Sequence, residues 1–299
     1  MISVVVCTYN RAGPLQRFLA RIGELGSPRH DLPWELVVID NNSSDGTRDV
    51  VESMRARLRV PVVYHFEPCQ GLSHARNAAL TNARYDILAF TDDDCLFGSD
   101  WLQSIADEFA ADASLAILGG RVEAAPGLPT ELSTRRGRGR VEVKSLADIR
   151  RNLIGCNMTL KRSLLRGIEP FDTRLGAGTP CKAGEDSDYI YRALRGGCRI
   201  VYSPDVMVEH HHDRTEEDAV RAVRGNYLMG RGAFYAKHLS RFDCNVARHA
   251  YWELRGLFRR NERRSSFGSL TRWQVLRGLF SGGILWLRSG RSDSGKVNG

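Results

Sequence analysis

The chain has 299 residues, 42% of them hydrophobic and 26% charged. That composition excludes chain-wide disorder, because apolar material for a core is ample, and no window of about 18 uninterrupted apolar residues marks a spanning helix. The formal charge of +8 is uneven: from Arg214 onward 17 Lys and Arg stand against 7 Asp and Glu, and the residues before it carry 26 against 28.

In chain order, residues 2–7 are an apolar, β-branched run that predicts a strand buried on both faces. Pro14 opens a helix expected to reach about Gly26. A second strand over 36–39 ends at Asp40, and the polar Asn41–Gly46 turn leads into a helix near Thr47. Val60–Phe66 predicts a third strand and 72–83 a third helix. Ile87–Phe90 is a fourth strand, which stops at Thr91-Asp92-Asp93-Asp94. Strands alternating with helices imply a mostly parallel sheet covered on both faces, an α/β fold whose ligands collect at the carboxyl ends of the strands. Beyond residue 120 the alternation weakens. Residues 126–140, with two prolines and the Arg135–Arg140 arginine-glycine run, predict a mobile loop. Leu153–Leu160 and Arg199–Tyr202 predict further strands around a helix over 186–195, with a turn at Ser203-Pro204. From about 215 the pattern is helical, and the last ten residues predict a frayed end. The expected division is therefore 1–213 as an α/β domain and 214–299 as a basic helical extension.

Seven cysteines at irregular spacing, none in a C-x-x-C pair, predict reduced thiols and a cytoplasmic protein. The apolar run directly after Met1 lacks the basic flank of a secretory leader.

Six clusters carry chemistry. Three adjacent carboxylates after a strand repel one another unless a cation, arginines or water offset them. Hard divalent ions favour such oxygen ligands. Asp92 and Asp94 share one side of an extended segment and Asp93 the other. Asp40 can accept a hydrogen bond from a base or ribose, or cap its own turn through Asn42 and Ser43. Thr8, Tyr9, Asn10 and Arg11 form a polar group at the end of the first strand. Arg76 falls in the first turns of a helix, where amide donors attract anions, or serves an exposed ion pair. Glu185, Asp186 and Asp188 are three acids in four positions at a helix start; capping accounts for part of that, and a carboxylate held there can also take a proton from a hydroxyl. Of His210, His211 and His212, at most two can face a common metal on an extended strand.

Read together, these blocks resemble the family 2 glycosyltransferases, inverting enzymes with the nucleotide-sugar-binding GT-A fold. The matching text is VVCTYNR (5–11), VVIDNNSSDGT (37–47), GLSHARNAAL (71–80), FTDDDC (90–95), GEDSD (184–188) and PDVMVEH (204–210). The resemblance implies that Thr8, Asn10 and Arg11 line the nucleotide pocket, with Asp40 toward the base. Arg76 would lie near the base or diphosphate. Asp92 and Asp94 match the acids of the D-x-D element, Asp92 toward ribose and metal and Asp94 on the metal; Asp93 would join the donor pocket. Asp186 matches the catalytic base, with Glu185 the second choice, and His210 a metal ligand, with His211 one residue away as the alternative. Mn2+ or Mg2+, a UDP-sugar donor and a glycan, lipid-linked or small-molecule acceptor are implied.

A sugar nucleotidyltransferase would need a glycine-rich basic loop after the first strand, where this chain reads TYNRAG (8–13). A dinucleotide-dependent oxidoreductase would need G-x-G-x-x-G there. A nucleic-acid-binding protein would use the arginine-glycine loop and basic tail, but the acidic strand ends repel a polyanion, so no nucleic acid is expected. The Arg135–Arg140 loop can close over the donor or guide an anionic acceptor. Residues 277–288 suit either a peripheral contact with the inner face of a membrane or packing over the acceptor cleft or in a homodimer.

Overall fold

The computed structural model describes residues 1–25, 32–127, 132–212, 214, 216–259 and 270–292. The β-branched N-terminal runs form β1 (Ile2–Thr8), β2 (Trp34–Asp40), β3 (Val62–Phe66) and β4 (Ile87–Asp92). They pair in parallel in the order β3-β2-β1-β4. The intervening helices are α1 (Ala12–Leu25), α2 (Thr47–Arg55) and α3 (Leu72–Asn82). Pro14 sits in the first turn of α1, where its missing N–H is not needed.

The chain continues through β5 (Cys95–Phe97), α4 (Trp101–Ala111), β6 (Leu115–Ala124), β7 (Val141–Glu142), α5 (Leu146–Asn152) and β8 (Asn157–Lys161). α6 (Glu185–Arg195) and β9 (Arg199–His210) complete the sheet. β8 runs antiparallel between β4 and β6, β6 is parallel to β9, and β5 and β7 pair antiparallel with β9. The result is a mixed sheet of nine strands among the described residues. α4, β5, β6, β7 and α5 come in addition to the predicted elements.

Three expectations are corrected. The strand expected over Leu153–Leu160 starts only at Asn157, because Leu153 and Cys156 are buried through a turn that follows α5. Instead of a turn at Ser203-Pro204, β9 is one continuous strand. Its register against β6 jumps from Ser203 opposite Gly120 to Met207 opposite Arg121, so proline, with no N–H for a ladder, lies in a bulge. The arginine-glycine loop, expected to be mobile, is tied to the sheet where it is described. Arg135 exchanges both backbone hydrogen bonds with Val122, at 2.9 and 3.0 Å, and Tyr202 Oη donates to Gly137 O at 2.7 Å. Residues 128–131 of that loop lie outside the described residues.

Strand alternation builds two core layers. Val4, Val6, Leu36 and Val38 face Phe18, Val51, Trp101 and Phe109 of α1, α2 and α4. Val5, Val37, Ile39 and Phe90 face Ala75, Ala79, Ile149 and Tyr189 of α3, α5 and α6. The second layer extends without a break into α7 (Glu217–Leu239), α8 (Cys244–Arg259) and α9 (Arg272–Ser292) through Leu228, Phe234, Val246, Leu257 and Leu279. The expected helical segment is thus present and shares the core of the sheet. Of the end expected to fray, 293–299 lie outside the described residues.

α7 and α9 cross through glycines. A Cβ on Gly232 would fall 1.9 Å from Leu279 O, and one on Gly282 would fall 1.8 Å from Met229 O. Helix propensity alone favours alanine over glycine by about 1 kcal/mol, but here the backbones must separate to admit it, at a cost of about 1–3 kcal/mol. Gly282→Ala is therefore expected to lower the melting temperature; a raised value would show that the crossing is looser than this.

Candidate active site

The ends of β4 and β9, the starts of α3 and α6, and one side of α7 enclose a cleft of about 640 Å3. That size is typical of a small-molecule site. Among the residues singled out from sequence, Arg76, Asp92, Asp94, Glu185, Asp186 and His210 line it.

β4 delivers the carboxylates and β5 turns the chain back against β9, so that Cys95 pairs with His210. This register places His210 Nε2 3.4 Å from Asp94 Oδ1. Burial alone would lower the His210 pKa, but the Asp94 carboxylate lifts it to about 9. Asp94 is held below the usual carboxylate range against its burial, by His210 and by Arg11. Burial and the neighbouring Asp94 push Asp92 up. His211, the alternative histidine, turns away from Asp94, to Glu209 at 3.5 Å.

Arg11 neutralises the other two acid edges. Its Nε donates to Asp93 and its Nη2 to Asp94, each at 2.7 Å. Thr8 Oγ1 donates to the second Asp93 oxygen at 2.7 Å. Despite these donors, burial pushes Asp93 up to about 6. Asn10, with a left-handed φ of 51°, accepts from Ser44 N at 2.7 Å and joins the loops after β1 and β2. Asp40 is buried, accepting from Ser43 N at 2.9 Å and from Tyr64 Oη at 2.7 Å; the turn-capping role is thus realised. Thr8, Asn10, Arg11, Asp40 and Asp93 frame the strand ends from outside the lining of the cleft.

The three acids of α6 diverge. Glu185 turns inward to Arg76, whose guanidinium donates at 2.8 Å with both side chains more than nine-tenths buried. This is a buried pair, where sequence offered only an exposed one. Burial raises Glu185 to about 7 even so. Asp186 remains in the cleft, where Gly155 N donates to Oδ2 at 2.8 Å and Ser187 N to Oδ1 at 2.6 Å. Asp188 is wholly buried and accepts from Lys237 Nζ, Arg192 Nε and His238 Nε2, each at 2.9 Å, which binds α6 to α7.

Several lining residues were not singled out from sequence. Gly155 is one: a Cβ there would meet Arg76 Nη2 at 2.3 Å. Tyr227, Arg231 and Asn226 reach the cleft from α7, a helix with no motif of its own. Arg135 also lines it, its Nε donating to Leu153 O at 3.1 Å; only its place in a basic run was visible.

The donor atoms of Asp94, Cys95 and His210 lie within 4.8 Å of one another, close enough to share one ion at about 2.0–2.3 Å from each. A hydrogen bond with Cys156 and burial keep the Cys95 thiol well above its ordinary pKa, so carboxylate and imidazole are the fitting ligands. His210 Nδ1 lies 3.4 Å from Leu132 O, an orienting contact that leaves Nε2 to face Asp94.

This architecture is the GT-A glycosyltransferase fold. A mannosyltransferase from Pyrobaculum calidifontis, solved with GDP-Man and Mn2+, matches with a TM-score of 0.61 at 21% identity, over 97% of this chain and 75% of that one. TarS 1-349 of S. aureus with UDP-GlcNAc gives 0.57 at 18% identity, over 97% and 92%. The model of glycosyl transferase family 2 matches residues 3–168, and the chain belongs to that family. It is similar to the succinoglycan biosynthesis protein ExoM of Rhizobium meliloti (strain 1021), with 29% identity over 255 residues, 82% of this chain and 79% of that protein.

Gly155 both admits Arg76 and donates to Asp186, so Gly155→Ala is expected to reduce turnover by about 10²-fold, the cost of a misplacement near 1 Å. Gly139→Ala, whose Cβ meets nothing within 4 Å, is the control. Equal rates for the two variants would contradict the role given to Gly155.

Proposed function

We propose that the protein transfers a sugar from a nucleoside-diphosphate donor, with UDP as the first carrier to test, to an acceptor hydroxyl with inversion at the anomeric carbon. The observation that carries this reading is the position of Asp186. It sits in the cleft shared with Asp92, Asp94 and His210, oriented by two backbone N–H groups. A carboxylate held this way is pre-aimed to take a proton, whereas Glu185 is committed to Arg76. Asp186 is therefore the base.

A divalent cation, Mn2+ or Mg2+, held by Asp94 and His210 beside Asp92, would supply charge that stabilises the departing diphosphate. Asp186 receives the acceptor's proton as its oxygen attacks the anomeric carbon, and the bond from that carbon to the diphosphate oxygen breaks. One displacement suffices, with no sugar bound to the protein. Arg76 adds positive charge beside the cleft, and removal of such a stabiliser costs about 3–4 kcal/mol of barrier. We assign Thr8, Asn10, Arg11, Asp40 and Asp93 to shaping the nucleoside edge, and the helices after residue 213 to the acceptor side. GDP-Man with Mn2+ and UDP-GlcNAc in the related folds support the donor class. The succinoglycan role of ExoM supports a glycan acceptor.

A panel of nucleotide sugars with and without Mn2+, read by thermal shift and donor hydrolysis, tests donor and metal together; no response to any of them would reject the reading. Asp186→Asn keeps one of the two backbone bonds, so donor affinity should persist while turnover falls by about 10²–10⁴-fold. Near-normal turnover would remove the base assignment.

Mn2+ must displace the proton that His210 holds below pH about 9. Apparent Mn2+ affinity should therefore rise about tenfold per pH unit from 7 to 8. His210→Ala should weaken binding and flatten this slope, as measured by calorimetry; an unchanged slope would exclude His210 as a ligand.

A further inference from the structure

The outer face of α9 follows the helix period. Trp273, Arg277, Phe280, Ile284, Leu287 and Arg288 are exposed at the spacing of one stripe, with Trp273 79% and Phe280 69% accessible. The opposite face is already used: Leu279 and Trp286 are buried, and Gly278 and Gly282 fit against α7. Single exposed apolar residues are ordinary, but a continuous row of them marks an interaction site.

The charge of the two helices bears on the partner. Arg272–Ser292 contains neither Asp nor Glu. On α8, Tyr251, Trp252 and Phe258 are exposed together with Arg248 and Arg259, and the Arg255 guanidinium lies 5.1 Å over the Trp252 ring. The one acid of α8, Glu253, is drawn inward by Arg150 and Arg231 at 2.8 and 2.6 Å. Each helix thus presents aromatic and aliphatic side chains bordered by arginine, with no exposed acid. A second copy would bring like charge against like. A polyanion such as RNA would leave Phe280, Ile284 and Leu287 without an apolar partner. An anionic lipid surface satisfies both, taking the apolar side chains among its acyl chains and the arginines at its headgroups. Among the described residues no helix is long and apolar enough to cross a membrane, so the contact lies along the surface.

We propose that the outer faces of α8 and α9 dock the enzyme on an anionic bilayer, with α9 as the inserting helix. The test uses the full chain and vesicles of phosphatidylcholine with or without phosphatidylglycerol. The protein should pellet with the phosphatidylglycerol vesicles only, and should be released at about 1 M salt, where the screening length is about 3 Å. Trp273 emission should shift to the blue and be quenched by brominated acyl chains, with Trp273→Phe identifying its share. The double variant Phe280→Glu, Ile284→Glu should lose pelleting at an unchanged melting temperature. Absence of pelleting by the unaltered protein, equal pelleting by the double variant, or no quenching of Trp273 would each overturn the proposal. So would a dimer in light scattering that the double variant dissociates while vesicle binding stays absent. If the double variant fails to fold, the lipid and salt dependence of the unaltered protein and its Trp273 quenching decide.

Discussion

The architecture depends on the compensation of carboxylates crowded at one end of a parallel sheet. Asp92, Asp93, Asp94 and Glu185 crowd one end of the sheet, three of them buried, and burial raises most of their pKa values. Charged acids in such a place require partners of opposite sign. Arg11 spans Asp93 and Asp94, Arg76 meets Glu185, and His210 meets Asp94. These partners come from the start of α1, from α3 and from the tip of β9, so the charge pattern is complete only when all three elements are in place. Asp94 is the member with room for more: one oxygen is taken by Arg11, the other faces His210 across a longer gap.

Much of this could be read from local pattern. The continuous apolar strands, the polar residues at their ends and the order of the motifs define the parallel half, because each is set by residues adjacent in sequence. The acid triplet and the α6 acids were visible for the same reason. What lay beyond reach depends on pairings between distant segments. The bulge in β9 answers to Gly120, where a Cβ would meet Val206 O at 2.1 Å; the proline inside it suggested a turn instead. Gly155 acquires its importance only when Arg76, far away in sequence, is laid across it.

The GEDSD segment shows how one motif divides its labour. Adjacent helix positions differ by about 100° in direction, so Glu185, Asp186 and Asp188 meet three different environments. Glu185 reaches Arg76 of α3, Asp186 remains in the cleft, and Asp188 is held by α7. Asp186, held by two backbone N–H groups, is thus flanked by two acids that pair with side-chain cations. An acid-rich sequence alone could not separate these roles, since all three favour a helix N-terminus equally.

α7 ties these parts together. Its Gly230 packs so closely on the loop before α6 that a Cβ would stand 2.4 Å from Ala183 C. Lys237 and His238 grip Asp188 at the next turn of α6. The same helix sends Tyr227 and Arg231 into the cleft and holds α9 through Gly232. Close-packed backbones move as a unit, because separating them sacrifices contacts along their whole length. The position of Asp186 is therefore set as much by the C-terminal helices as by the sheet, although the motifs that announce the fold all precede those helices. A boundary drawn at residue 213 separates composition and motif content, but it cuts through the support of the very residue assigned to take the proton.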